Sequence, residues 1–131
     1  MLKAYKYRLY PNEEQQIQMA KTFGCVRFVY NRLLDARIKA YKRRGESLNC
    51  NKCNVVLNKI KIGFPWLKEV NSQSLQMANL NLDTAYNSFF KGKSDFPNFK
   101  NKSSKQSFQC PQNVKVDYAT QTIYLRELLG N

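Results

Sequence analysis

The chain contains no histidine and only 9 acidic residues among its 131. Without histidine it cannot form Ser–His or Cys–His nucleophilic pairs, a histidine metal site or an imidazole proton shuttle. It also lacks any apolar run near the ~18 residues that span a bilayer as a helix, and its first residues lack the apolar centre of a signal peptide. The sequence therefore predicts a cytoplasmic protein with reduced thiols at Cys25, Cys50, Cys53 and Cys110.

The few acids are also scattered along the chain. A nuclease that uses two metal ions needs two or three carboxylates converging on one pocket. Only Glu13 and Glu14 are adjacent in sequence, and both are best explained as partners of a helix dipole. We therefore expect no catalytic residues and no enzyme activity in this chain.

The CNKC motif from Cys50 to Cys53 is half of a zinc-ribbon pattern. A structural zinc site needs four ligands, and neither Cys25 nor Cys110 belongs to a second such pair. Redox use would need a thioredoxin-like βαβ pattern, which the sequence lacks. We interpret these residues as ordinary reduced cysteines near a helix start, and we expect no metal and no cofactor.

Positive charge is what the chain has in excess, with 22 Lys and Arg and a formal net charge of +13. The hydrophobic share of 43%, with eight Tyr and eight Phe, favours a folded domain over a disordered basic tail. Such a charge needs an anionic partner, and nucleic acid leads because cations release counterions from its phosphate backbone. A membrane surface is second, since the basic residues do not line one helix face.

Strand-like alternation is confined to the two ends of the chain. Residues 2–10 predict a strand with Tyr5, Tyr7 and Leu9 on one face. Residues 108–125 predict short strands with a turn at 118–121. The helices between them are therefore expected to be inserted into a small sheet whose first strand lies at the N-terminus.

Helical periodicity fills the middle of the chain. Asn12 predicts the N-cap of a helical segment that continues to Tyr41. Gly24 either breaks this segment into a helix-turn-helix or lies within one kinked helix. Further helices are predicted over 51–61 and from Asn71 or Ser72 to about Gly92.

Basic residues concentrate near the N-terminus, over 37–44 and in the segment 91–107, KGKSDFPNFKNKSSKQS. This last segment predicts a phosphate-contacting loop pinned by Phe96 and Phe99. Polar side chains able to reach base edges lie nearby. The candidate nucleic-acid-binding residues are Lys3, Lys6, Arg8, Arg27, Asn31, Ser72, Gln73, Gln76, Lys91, Lys93, Lys100, Lys102 and Lys105.

Several uncommon stretches follow one another along nearly the whole chain: KAYKYRLYPNEEQ (3–15), FGCVRFVYN (23–31), PWLKEVNSQSLQ (65–76), TAYNSFF (84–90), DFPNFKNKSSKQSF (95–108) and IYL (123–125). In this order they resemble the N-terminal part of the TnpB (OrfB) proteins. Insertion sequences encode these proteins, which were long described as transposases with a helix-turn-helix front end. The resemblance implies a relation to RNA-guided DNA endonucleases and to the type V CRISPR effectors.

The resemblance also implies an architecture. It is an α+β fold in which a helical recognition bundle of three to four helices is inserted into a small, partly complete, wedge-like β-barrel. The expected divisions are a first barrel strand over 1–11, a helix-turn-helix-like recognition domain over 12–92, and a basic loop with the remaining, truncated barrel strands over 93–131.

Three positions, Ser72, Gln76 and Cys50, match family positions that face the bases of a short motif flanking the transposon. The family's cutting residues belong to a C-terminal RuvC-like nuclease domain with a zinc ribbon, and this chain ends before it. We therefore expect the chain to bind guide RNA, target DNA or both without cleavage. The alternatives are one half of a split endonuclease, completed by a separately encoded nuclease domain, and a decayed transposase remnant.

Overall fold

The computed structural model describes residues 4–101, 103, 106–109, 115–120 and 122–124. Three α-helices and a short 3-10 helix precede two short strands along the chain. The elements are α1 (Glu13–Arg44), α2 (Cys50–Gly63), the 3-10 helix (Pro65–Glu69), α3 (Ser72–Phe90), β1 (Lys115–Asp117) and β2 (Thr122–Tyr124). The two strands pair in antiparallel register, with Val116 opposite Ile123.

The start of α1 is fixed by the residues just before and inside it. The side chain of Asn12 accepts a hydrogen bond from the Gln15 amide, and the Gln15 side chain accepts one from the Asn12 amide, both at 2.9 Å. Glu13 and Glu14 occupy the first turn, where their charge favours the helix dipole. The prediction that Asn12 caps this helix is confirmed. The helix ends at Arg44 and is capped by Gly45, whose φ of 61° suits glycine.

Gly24 lies inside α1 and does not break it. The sequence left open whether α1 breaks into two helices at this residue, and the structure shows one continuous helix instead. An interior glycine costs a helix about 1 kcal/mol. The neighbouring side chains of Cys25 and Val29 are buried in the core, and full burial of an aliphatic side chain contributes about 1.5–3 kcal/mol. Packing therefore outweighs the local cost.

The three α-helices enclose one core. Arg37 in α1 contacts Cys53 near the start of α2, while Phe28, earlier in α1, contacts Phe64 just after α2. The two helices therefore run in opposite directions. The fully buried leucines come from all three helices and the 3-10 helix: Leu33, Leu34, Leu57, Leu67, Leu75 and Leu82.

The predicted α+β fold with helices inserted into a β-barrel is wrong. The described chain is a three-helix bundle, and its strands form a single two-stranded hairpin of three residues each. Residues 4–10 form no strand, and all are exposed. Alternation of apolar and polar residues makes one face of a strand apolar, but a strand persists only when a neighbour pairs with it. No such neighbour lies beside 4–10 within the described ranges.

The turn predicted at 118–121 matches the hairpin, whose described turn spans 118–120. The helix predicted over 51–61 is observed as α2, Cys50–Gly63. Of the two proposed caps of the last helix, Asn71 is the one observed. Among the helices of the described ranges, none is long and apolar enough to cross a bilayer.

Candidate nucleic-acid interface

After α3 the chain turns back along the bundle, and its described residues 91–101, 103 and 106–109 are called the return segment below. Phe96 packs its ring against Tyr86 and Phe89 near the end of α3, at centroid distances of 5.3 and 5.2 Å. Phe108 packs against Phe23 in the first half of α1, at 5.2 Å. The return segment therefore runs over the groove between α1 and α3, from the end of α3 back toward its start.

The aromatic anchors only partly match the prediction. Phe96 holds the return segment through its ring contacts, whereas Phe99 is 53% exposed. Pro97, between them, is buried. Near the end of the segment, the Gln109 carbonyl accepts a hydrogen bond from the Ser74 hydroxyl at 3.0 Å.

Asn31 fixes the middle of the return segment. Its amide nitrogen donates to the Lys100 carbonyl and its amide oxygen accepts from the Lys100 amide, both at 2.8 Å. The Lys100 ammonium lies 4.7 Å from the centre of the Tyr30 ring. Asn31 therefore positions a lysine in the structure, and its contact with nucleic acid stays a prediction.

The basic residues of the return segment begin at a tight turn. Gly92 has a φ of 74° and donates its amide to the Phe89 carbonyl at 3.0 Å, and Lys93 donates to the Ser88 carbonyl at 2.9 Å. These bonds end α3 and place both Lys91 and Lys93 at the surface. Their charges are therefore free to face a ligand.

Two of the predicted base-reading positions are exposed on α3. Ser72 and Gln76 lie one helical turn apart on its surface. Asn79 follows Gln76 by three residues and is fully buried. Its amide nitrogen donates to the Cys50 carbonyl at 3.1 Å and to the Asn54 side chain at 2.8 Å. The structure thus brings Cys50, at the start of α2, next to the turn of α3 that carries Gln76.

Gln73 is half-buried in the first turn of α3, and its backbone amide donates to the Asn71 side chain at 3.0 Å. Lys6 and Arg8 are exposed in the N-terminal segment. Three of the predicted binding residues, Lys3, Lys102 and Lys105, lie outside the described residues, as does Cys110.

Arg37 belongs to the core, although its neighbours in sequence form a basic run. It is 6% exposed, its guanidinium lies 3.0 Å from Asp83 Oδ1, and its Nε donates to Cys53 Sγ at 3.3 Å. The Tyr86 ring covers the guanidinium at 4.7 Å. Burial alone would lower the pKa of Arg37, but the hydrogen bonds and charges of Asp83 and Cys53 raise it. This buried cluster around Arg37 was not predicted from the sequence. The position of Arg37 on the apolar face of α1 is a signal that could have indicated it.

The cysteines of the CNKC motif play different parts. Cys53 is fully buried against Arg37, and Cys50 is half-buried at the helix start. Burial raises the pKa of the Cys53 thiol, and the nearby Arg37 only partly offsets this. Both cysteines and Cys25 are free thiols. Across the described ranges, no three potential metal-ligating side chains of the His, Cys, Asp or Glu type come together.

Four of the described carboxylates are paired with nearby cations, whereas Glu13, Glu14 and Asp95 form no ion pair within the described ranges. Asp35, Glu46, Glu69 and Asp83 each form at least one ion pair, at 2.8–3.7 Å. A larger set of cations makes no ion pair within the part of the chain that the structure describes: Lys6, Arg8, Arg27, Arg32, Lys42, Arg43, Lys59, Lys61, Lys68, Lys91, Lys93 and Lys100. These are called the unpaired cations below.

Arg27 is the unpaired cation nearest the middle of α1, and it borders three adjoining clefts. One cleft, of about 350 Å³, lies between the return segment and the α1–α3 groove and includes Lys100. Another cleft, of about 630 Å³, lies on the other side of Arg27 and includes Arg32 and Trp66. Cations and aromatic rings thus alternate around one part of α1, as in surfaces that bind nucleic acid.

A family model described as a helix-turn-helix domain, of the OrfB type of insertion sequence IS605, matches residues 1–46. In the described structure this region holds the N-terminal segment and one helix, α1.

Three curated relatives are similar to the chain. A protein of Streptomyces pristinaespiralis, named as a candidate RNA-guided DNA endonuclease, is 35% identical over 80% of this chain and 27% of its own length. InsQ of Escherichia coli (strain K12), named in the same way, is 33% identical over 97% of this chain and 32% of its own length. Virulence protein VsdF of Salmonella dublin is 40% identical over 80% of this chain and 98% of its own length. The chain therefore spans about a third of the first two relatives and nearly the whole of the third.

Proposed function

The chain belongs to the TnpB (OrfB) family of insertion-sequence proteins, and on this premise we propose that it binds nucleic acid through its unpaired cations. The ligand is the guide RNA, the target DNA or both, and this chain supplies no cutting step. A cytoplasmic location, where thiols stay reduced, fits this proposal.

The observation that carries the proposal is the imbalance of ion pairing on the bundle. The acids Asp35, Glu46, Glu69 and Asp83 are each held by a cation, while the unpaired cations form no ion pair within the described ranges. Phosphate groups are the ligand that a large set of unpaired Lys and Arg favours, because each contact releases condensed counterions. Carboxylates already held in ion pairs are poorly placed to bind catalytic metal ions.

We further propose that Cys50, Ser72 and Gln76 face the bases of a short DNA motif, as the family resemblance implies. Two features support this. Ser72 and Gln76 are exposed on one stretch of α3, and the Asn79 hydrogen bond to the Cys50 carbonyl holds the start of α2 beside them. Side chains on rigid helices can read base edges with a defined geometry.

A second candidate function is a share in DNA cleavage, as one part of an RNA-guided endonuclease. The names of the two longer relatives favour it, since the chain spans only 27% and 32% of their lengths. In that case the cutting residues would be supplied by other polypeptide, and this chain would still act by binding.

Titrations at several salt concentrations test the proposal. The purified chain is added to a fluorescent duplex DNA and to a structured RNA between about 50 and 200 mM salt, and anisotropy gives the affinity. We expect the logarithm of the binding constant to fall linearly with the logarithm of salt concentration. Affinity that does not change with salt would contradict binding through the unpaired cations. A parallel incubation with Mg²⁺ should leave the DNA intact, and cleavage by the purified chain would refute the absence of a cutting step.

A further inference from the structure

The cleft between the return segment and the α1–α3 groove has the chemistry of a nucleotide site. Its volume is about 350 Å³, within the range of sites that hold small molecules. Arg27 and Lys100 contribute two positive charges, and none of the described residues that line it is acidic. The cleft therefore favours an anionic ligand.

The floor of the cleft is apolar, whereas its rim is polar. Phe23, Val26 and Ala78 line the cleft, and because Phe23 and Val26 are half-buried and Ala78 almost fully buried, they are taken as its floor. Asn81 and Gln106 lie at the exposed rim. A flat ligand with one apolar face and hydrogen-bonding edges matches this division, which is also a description of a nucleobase.

The walls of the cleft are held in place before any ligand arrives. The two 2.8 Å hydrogen bonds from Asn31 fix Lys100 on one side. The Asn81 amide donates to the Gln109 side chain at 3.2 Å, which orients it at the rim. A site whose polar groups are already ordered loses less conformational entropy on binding.

We propose that this cleft takes a single unpaired nucleotide from a bound RNA or DNA strand. Arg27 and Lys100 contact its phosphate, and its base lies over the floor with its edge toward Asn81 and Gln106. A base inside a duplex is stacked on both neighbours, so only a nucleotide turned out of the helix can enter. The inference rests on the proposed function and adds to it a preference for strands that carry an unpaired nucleotide.

The test uses two RNA hairpins of equal length in base pairs, one with a single bulged 2-aminopurine and one fully paired. DNA versions of both distinguish the two sources of the nucleotide. We expect the wild-type chain to bind the bulged hairpin about tenfold more tightly, since a stacked base contributes a free energy of this order. Equal affinity for bulged and paired hairpins, in both RNA and DNA, would overturn the inference.

A variant that fills the cleft without changing its charge locates the effect. Ala85 lines the cleft and is half-buried, so Ala85→Leu should abolish the preference for the bulge and leave affinity for the paired hairpin unchanged. Ala36→Leu makes the same change at a half-buried alanine of α1 that does not line this cleft, and it should keep the preference. A preference that survives Ala85→Leu would place the nucleotide elsewhere.

A second measurement needs no variant and decides the matter if Ala85→Leu does not fold. Acrylamide quenching of the 2-aminopurine should weaken when the wild-type chain binds, because the base is shielded in the cleft. Quenching as strong as in free RNA would refute the inference. Failure of the proposed function itself looks different, because neither hairpin would then show salt-dependent binding.

Discussion

The side-chain amide of Asn31 and the backbone of Lys100 form a closed pair of hydrogen bonds, both at 2.8 Å, across 69 residues of sequence. This pair gives the return segment the contacts that a neighbouring strand would otherwise supply. It also determines where the Lys100 ammonium lies relative to the Tyr30 ring. Asn31, a polar residue of α1, therefore positions a lysine of the basic return segment.

Replacing Asn31 by alanine should release the middle of the return segment. Two lost hydrogen bonds correspond to about 1–3 kcal/mol, and we expect trypsin to cleave after Lys100 faster than in the wild type. Asn58→Ala, an exposed change on α2, serves as the control and should leave cleavage unchanged. Equal cleavage rates in Asn31→Ala and the control would show that the pair does not hold the segment.

Replacing Asp83 by alanine should destabilise the bundle by about 3 kcal/mol, because it leaves the buried Arg37 without a counter-charge. Asp35→Ala removes a surface pair with Lys39 and should cost no more than about 0.5 kcal/mol. Urea unfolding followed by circular dichroism measures both. The double change Arg37→Met with Asp83→Leu should recover much of the loss, since it removes the buried charge of Arg37 together with its half-buried partner. A cost for Asp83→Ala no larger than the control would refute the role of the pair.

Stability should decrease in mildly alkaline solution. Burial raises the pKa of the Cys53 thiol, and burial followed by the charge of Glu69 raises that of Cys25. The unfolded thiols then lose their protons first, at about pH 8.5, so stability is fully present below that pH and is lost as pH rises further. Urea unfolding at about pH 7.5 and 9.5, under reducing conditions, measures the decline.

A pair of core variants separates this thiol effect from simple packing. Cys53→Ala should lower stability at both pH values but show a smaller alkaline decline. Leu57→Ala also opens space in the core at a fully buried position, and it should keep the full decline because it removes no ionisable group. If Cys53→Ala loses as much stability at alkaline pH as the wild type does, the Cys53 thiol is not a cause of that loss.

The salt dependence of binding should distinguish unpaired from paired lysines. Lys93 has no ion pair within the described ranges, and Lys93→Gln should reduce the slope of log affinity against log salt by about 1. Lys39→Gln removes the same charge, but that amine lies 2.8 Å from Asp35, so its slope should change less. Equal changes for both variants would show that ion pairing within the bundle does not decide which lysines contact phosphate.

Local signals in the sequence predicted the helices well, because they depend on neighbours in the chain. Asn12 supplied the N-cap, Gly92 marked the turn after α3, and apolar spacing located α2 and α3. The sequence could not decide whether Gly24 breaks α1, because that depends on packing against the other helices. The prediction of a barrel was wrong for the same reason, since the alternation of apolar and polar residues over 4–10 does not indicate whether a partner strand exists.

The features of the candidate site also divide into those that the sequence predicted and those that it did not. A high net charge and the basic run in 91–107 could be read directly from composition. The burial of Arg37 could not, because a guanidinium enters a core only when a distant carboxylate such as Asp83 meets it. Asn79 and its hydrogen bonds to α2 also escaped sequence reasoning, although an asparagine on the apolar face of a helix is a usable signal.

The dependence of α1 on its neighbours limits how this protein can be divided. Val29, Leu33 and Leu34 are completely enclosed, although the recognisable family region over 1–46 includes only this one helix of the three. A peptide cut to that region would expose those side chains to water and, like most isolated helices, would be marginal. A piece of this molecule that keeps these side chains enclosed must therefore extend at least to Phe90, well past the end of the region that the family model matches.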